Sequence, residues 1–387
     1  MYTMTAPPIE THRHRSDDVD VLRGFAILAL LLLHAGVMTN GLDAQPNLNA
    51  VVQRLSMGVQ LLFVVSGYLI SASLDRRMAC GEGVRGFLIR RAAKIIPLYL
   101  VFLHLHIVVF LLTDAYAPQV PPFRNSPTTE TLDWPNYVVH LAFLQGFVPA
   151  KLHTLLDGSW SIVIEVYFYL LFAVGLNRCC RTAAGSSWTY AASLAAAIAF
   201  VLLVGRHVSG YSYYGFPAQL PCFVLGALVH RLSQTPGFET RFAPWRNVVI
   251  ATSVLLMLGL GLVKGESKPL GDANVYALCF AAVLLSSSAL TETLPRAATA
   301  TLASMGRQSY ALFFVHLVLL KLAYLLLAAN QVSMTFWPAF ALNLVVAVPL
   351  SWLLAALVFH RIDQFFVALA ARSLDRNRDK PFDWSRA

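Results

Sequence analysis

Ten apolar runs of roughly 17–25 residues, each long enough to cross a lipid bilayer, follow one another along this chain. They lie near 20–38, 51–73, 94–112, 159–177, 188–205, 216–232, 247–264, 273–290, 307–328 and 336–359. In hydrocarbon no water satisfies a bare N–H or C=O, so each run must close its hydrogen bonds internally as an α-helix. The fold class that follows is all-α: a polytopic membrane bundle of about ten helices. Composition agrees, with 57% hydrophobic and 13% charged residues, against about 25% charged in soluble domains. Mean hydropathy is +0.61. A shorter apolar piece, 137–148, is too short to cross alone and reads as a re-entrant or interfacial segment between the third and fourth spans.

Basic residues orient the bundle. Taking alternate loops together collects Arg13, Arg15, Arg76, Arg77, Arg85, Arg90, Arg91, Lys94, Arg178, Arg181, Arg231, Arg241, Arg246, Arg296, Arg307 and the tail basics from Arg361 to Arg386 on one side. Arg54, Arg124, Lys151, Arg206, Lys264 and Lys268 fall on the other. The positive-inside rule puts the first set, and both termini, in the cytoplasm. The net charge of +9 is then a topology signal and an attraction to anionic membrane lipid. No nucleic-acid module is visible, so nucleic acid is not an expected partner.

The first apolar run follows His12-Arg13-His14-Arg15 but is long and has no small-residue cleavage site, so it reads as an uncleaved span. The five cysteines, Cys80, Cys179, Cys180, Cys222 and Cys279, have neither metal-ligand spacing nor a disulfide pattern. The expected organisation is a cytoplasmic arm over 1–19, one membrane domain over 20–360 and a basic cytoplasmic tail over 361–387. An alanine- and leucine-rich basic chain of this kind fits a bacterial inner membrane.

Within the first span, Arg23 and His34 are eleven positions apart. Eleven steps of about 100° make three turns plus roughly 20°, placing both on one helix face about 16 Å apart. Ionisable groups on membrane helices are expensive and by default mark functional sites. A cation near one surface therefore stands below a titratable base deeper in the membrane.

Four more polar-bearing blocks follow: Gly58-Val59-Gln60-Leu61-Leu62-Phe63-Val64-Val65-Ser66-Gly67-Tyr68; Phe87-Leu88-Ile89-Arg90-Arg91-Ala92-Ala93-Lys94-Ile95-Ile96-Pro97; Trp160-Ser161-Ile162-Val163-Ile164-Glu165-Val166-Tyr167-Phe168-Tyr169; and Ser309-Tyr310-Ala311-Leu312-Phe313-Phe314-Val315-His316. Together with Leu22-Arg23-Gly24 to His34, in this order and over most of the first 320 residues, they resemble the acyltransferase 3 family of integral-membrane O-acyltransferases. That resemblance implies transfer of an acyl group, usually acetyl from cytoplasmic acyl-CoA, to a hydroxyl of a carbohydrate or related molecule. Acceptors of this class include surface polysaccharide, lipopolysaccharide, exopolysaccharide and glycosylated small molecules such as macrolides.

Roles follow within the resemblance. Arg23, Arg91 and Lys94 sit at cytoplasmic ends of spans, where guanidinium and ammonium groups would hold the phosphates of the acyl-CoA donor. His34 matches the family's catalytic histidine, a general base for the acceptor hydroxyl. Glu165, at similar depth, would orient that imidazole or bind sugar hydroxyls. Trp160, Ser161 and His316 are assigned to substrate binding, Trp160 as a sugar platform or an interfacial anchor and His316 as support for the acceptor or acyl tunnel. No metal is implied. No Gly-x-Ser-x-Gly elbow supports a serine-hydrolase route, which leaves direct transfer ahead of an acyl-enzyme on Ser66 or Ser161.

The chain departs from the family pattern at two places. Lys94 stands where a second arginine is usual, keeping charge but losing the bidentate fork. Gln60 stands where an acid is frequent. The tyrosine-rich loop 211–216 reads as an interfacial belt, and His104 and His106 read as structural. Lys321, also intramembrane, has no sequence account. The competing class is a multi-span transporter or flippase, against which stands the lack of internal two-fold similarity.

Overall fold

The computed structural model describes residues 9–116, 132–208, 210–262 and 270–378, and side chains within these except at 9–16, 261–262, 270–272 and 376–378. Arg13, Arg15, Arg124, Lys264, Lys268 and Arg386, all counted above toward topology, lie outside the described residues or side chains. Each expected span is largely helical over its described residues. They are α1 (Ile9–Val37), α2 (Gly58–Ala79), α3 (Gly83–Tyr116), α4 (Ser159–Leu171), α5 (Ala183–Leu203), α6 (Phe216–Ser233), α7 (Arg246–Leu262), α8 (Leu270–Leu285), α9 (Ser309–Ala329) and α10 (Phe336–Val345). The last of these continues through two π-helical stretches to Arg378.

Eight of the segments are long and apolar enough to cross a membrane among the described residues, and a ninth results if the pair Ala273–Leu285 and Ser287–Thr293, bent by 71°, forms one span. The shortfall from ten lies at α6, which has only 18 residues and carries Gln219, His230 and Arg231. These polar groups find partners inside the protein: Gln219 in a network with Gln60 and Tyr213, His230 and Arg231 on Asp75. Internal partners let α6 be less apolar than a lipid-facing helix. By contrast α7 exposes Val248, Leu255 and Leu258 outward, as a helix facing lipid does.

Helix extends beyond the membrane runs at both ends. Helix α1 begins at Ile9, so the expected arm of 1–19 is partly helical, and helix runs uninterrupted through residue 360. The 137–148 piece falls in the eight-residue helix Trp134–Leu141 and the short turn Gln145–Phe147. About 12 Å long, that helix cannot span. His104 ties it to α3, its Nε2 2.8 Å from Tyr137 Oη.

Small residues set the closest packing, as is usual where apolar burial does not discriminate lipid from protein. A Cβ on Gly67 of α2 would meet Phe223 O at 2.0 Å, and one on Gly226 of α6 would meet Val64 O at 1.9 Å. The two backbones therefore touch. Helix α1 meets the helix Arg296–Arg307 in the same way, Gly24 against Leu302 O and Gly306 against Asp20 O. Gly24 thus serves packing, and that packing fixes the height at which Arg23 leaves α1.

Candidate functional site

Helices α1, α2, α3, α4 and α9 line a partly open cavity of about 790 Å³, a volume that includes adjoining solvent space. At one end Arg23, Arg91 and Lys94 converge from α1 and α3. Arg23 Nη2 donates to Ser309 Oγ at 2.7 Å, at the first turn of α9, and Arg23 Nη1 is 3.7 Å from Asp20 Oδ1. The Arg91 guanidinium carbon lies 5.5 Å from the ring centres of both Phe87 and Tyr169, within cation–π range. Lys94 is held among the charges of Arg23, Arg91, Glu165 and Asp363. Three cations thus share one cavity end with carboxylates in attendance, an arrangement suited to a polyanion.

Glu165 faces the cavity from α4. Its Oε1 accepts hydrogen bonds from Ser66 Oγ at 2.7 Å and Tyr169 Oη at 2.6 Å. Much of the remaining wall is apolar, including Val59, Leu62, Phe63, Ile162 and Phe313.

Beyond this wall His34 Nδ1 lies 2.8 Å from His316 Nε2, with the rings stacked at 5.0 Å. His316 is fully buried, and its Nδ1 is 2.7 Å from Leu312 O. A carbonyl only accepts, so Nδ1 of His316 carries the proton. In a neutral imidazole Nε2 is then a lone pair, which accepts from Nδ1–H of His34. The same bookkeeping makes Nε2 the basic nitrogen of a neutral His34. His316 is a tautomer-setting partner of His34.

Of the residues singled out in the sequence, Arg23, Arg91, Lys94, Ser161 and Glu165 line the one cavity. His34 and His316 pair with each other, so the imidazole of His34 takes its Nδ1 partner from His316; Glu165, expected either to orient that imidazole or to bind sugar hydroxyls, is not that partner. Ser161 Oγ donates back to Gly158 O at 3.0 Å. Trp160 is buried among Phe63, Tyr213 and Tyr214, with ring centres 6.1, 5.7 and 4.8 Å away. It buttresses the aromatic wall behind the cavity. Gln60 is fully buried, donating to Tyr213 Oη at 3.0 Å and Gln219 Oε1 at 3.2 Å, so its amide serves the α2–α6 contact.

An acyltransferase domain model matches residues 16–356. The chain belongs to the acyltransferase 3 family. Among curated proteins it is similar to the acyltransferase MdmB of Streptomyces mycarofaciens, at 25% identity with 80% of each chain covered. No solved structure matches. The protein is therefore a multi-pass membrane enzyme that transfers acyl groups, and it works with an acyl donor. An acyl-transferring enzyme displaces the transporter reading.

Sequence reasoning missed several members of the site. Ser309 and Tyr310 open the block that ends at His316, and their polarity at the start of an apolar helix was the available signal. Tyr310 Oη donates to Ile95 O at 3.3 Å, joining α9 to α3. Asp363 stands beyond the matched region, and an acid in a helix that otherwise reads as basic tail was its only mark.

Proposed function

We propose that this protein is an O-acyltransferase that takes an acyl group, acetyl in the simplest case, from acyl-CoA and delivers it to a hydroxyl of a carbohydrate or glycosylated small molecule. The setting is a bacterial inner membrane with both termini cytoplasmic. The observation that carries the reading is the cavity itself, with Arg23, Arg91 and Lys94 at one end and an apolar wall leading toward the His34–His316 pair. Guanidinium groups suit phosphate oxygens, and Arg91, backed by Phe87 and Tyr169, is held ready for them.

In this reading Nε2 of His34 takes the acceptor's hydroxyl proton as that oxygen attacks the thioester carbonyl. The C–S bond then breaks, and the coenzyme A thiolate receives the proton from the imidazolium. No acyl-enzyme is needed. Glu165 balances the charge of Arg91 and Lys94 and holds Ser66 and Tyr169 at the cavity wall, while His316 keeps His34 in the basic tautomer.

The test is thiol release from acetyl-CoA by the purified full-length protein in lipid nanodiscs, with and without a polysaccharide acceptor. Acceptor-stimulated release that disappears in His34→Ala supports the reading. A protein that neither binds nor turns over acetyl-CoA would contradict it.

A further inference from the structure

Lys321, unexplained by the sequence, has a partner in the fold. Its Nζ is 2.6 Å from Asp157 Oδ2, with 6% and 16% of the two side chains exposed. A buried ion pair is costly to desolvate and weak evidence for stability on its own, so what it fastens matters more than its energy. Asp157 belongs to the loop that precedes α4, and the next residue, Gly158, has φ +74°, in the left-handed region that favours glycine. A Cβ on Gly158 would come 2.9 Å from the tip of the Phe313 ring and 3.5 Å from Leu317 Cδ1. Phe313, Leu317 and Lys321 are spaced by four residues and form one stripe along α9. The Asp157–Gly158 dipeptide is laid on that stripe, fastened at Lys321 and pressed on Phe313.

Phe313 borders two places at once. It lines the cavity, where Ser309, Tyr310 and Phe313 successively form the α9 wall, and its ring centre is 6.2 Å from that of His316, one turn further along. With Leu62, Phe63 and Ile162 it makes the apolar end of the cavity, opposite the cations. An acyl-CoA held by its phosphates at Arg91, with its acyl end extending toward the histidines, meets this ring.

We propose that Phe313, pinned by the Asp157–Lys321 latch, is the plug that sets the length of acyl chain the site accepts and withholds the thioester from water. This rests on the acyl-CoA reading of the cavity. A chain too long for the space before the ring must displace Phe313, and the fastened loop resists. Water reaching the same place in the absence of acceptor would attack the thioester carbonyl. The C–S bond would break, leaving the free carboxylic acid and coenzyme A thiol, with the water proton passing to the thiolate.

The experiment is calorimetric binding of coenzyme A and its acetyl, butanoyl, hexanoyl and octanoyl thioesters to the full-length protein in nanodiscs, alongside acceptor-free thiol release. Wild type is expected to lose at least about tenfold in affinity from acetyl to octanoyl. Phe313→Ala should flatten that profile to within about threefold, and Phe313→Leu should shift it the same way by less. Asp157→Asn with Lys321→Met should raise acceptor-free thiol release about fivefold or more. Affinity for coenzyme A itself should change far less in these variants than the octanoyl-to-acetyl ratio does. A wild-type profile retained in both Phe313 variants, octanoyl bound as tightly as acetyl by wild type, or coenzyme A affinity lost in parallel overturns the plug. Wild type that binds no member of the series overturns the donor reading beneath it.

Discussion

His34 and His316, 282 residues apart in the chain, share a 2.8 Å nitrogen–nitrogen hydrogen bond whose direction is dictated by a third group, the Leu312 carbonyl. That carbonyl fixes the proton of His316, His316 fixes that of His34, and the basic nitrogen of His34 follows. Positioned general bases contribute typically 10²- to 10⁴-fold in rate. His34→Ala should cost about that much in transfer while leaving membrane insertion intact. His316→Phe, which keeps a ring in the stack but removes the acceptor, should lower kcat with little change in the KM for acyl-CoA. Steady-state kinetics in both substrates checks the pair, and an unaltered kcat in His316→Phe would remove its tautomer role.

In the proposed reading Arg91, which lines the cavity beside Phe87 and Tyr169, holds a donor phosphate. Truncating one charge-assisted hydrogen-bonding group costs roughly 1.5–3 kcal/mol, or about 10- to 100-fold. Arg91→Ala should raise the KM for acyl-CoA by that factor and leave the acceptor KM nearly untouched. Arg91→Lys should recover only part, since it restores charge without the fork. An effect on acceptor KM alone would move Arg91 out of the donor site.

The contact of α2 with α6 depends on two glycines facing each other's backbone. A methyl at Gly226 has a carbonyl oxygen 1.9 Å away, which no rotamer change relieves. Overpacking of this kind costs typically 1–3 kcal/mol. Gly226→Ala should lower the thermal midpoint in detergent by several degrees, and Gly259→Ala, with nothing within 4 Å, should not. Equal behaviour of the two would mean that the helices adjust freely.

The turn between α2 and α3 carries Glu82, which accepts from Arg90 Nε and Nη2 at 2.9 Å and from Arg77 Nη1 at 3.0 Å. The hydrogen bonds from Arg90, then those from Arg77, hold its carboxyl down at about 2 from the ordinary 4.5, against the opposing effect of burial. A depressed carboxyl stabilises the fold fully above its unfolded value and loses that contribution as pH falls from about 4.5 toward 2. Glu82→Gln should abolish this part of the acid dependence of thermal stability. A wild-type acid profile in the variant would rule out Glu82 as its source.

Membrane physics made most of the fold legible. Span existence follows from run length alone, since nothing else satisfies a backbone in lipid. The count blurred at α6 because Gln219, His230 and Arg231 depress its hydropathy, and their partners Gln60, Tyr213 and Asp75 are invisible until α2 and α6 are side by side. What the family resemblance and position along the spans did anticipate is that Arg23, Arg91, Lys94 and Glu165 would gather, as they do around one cavity. The site was illegible where pairing crosses the bundle. Nothing local couples His34 to His316, Glu165 to Ser66 or Lys321 to Asp157.

The most direct test of the central claim is mass spectrometry of cell-surface glycans and secreted glycosylated metabolites from cells carrying the wild-type gene, a deletion and the His34→Ala variant. The account predicts one product class heavier by a single acyl group in wild type and unmodified in both other strains. Full acylation retained in His34→Ala, or no acyl difference between wild type and deletion in any pool, would contradict it.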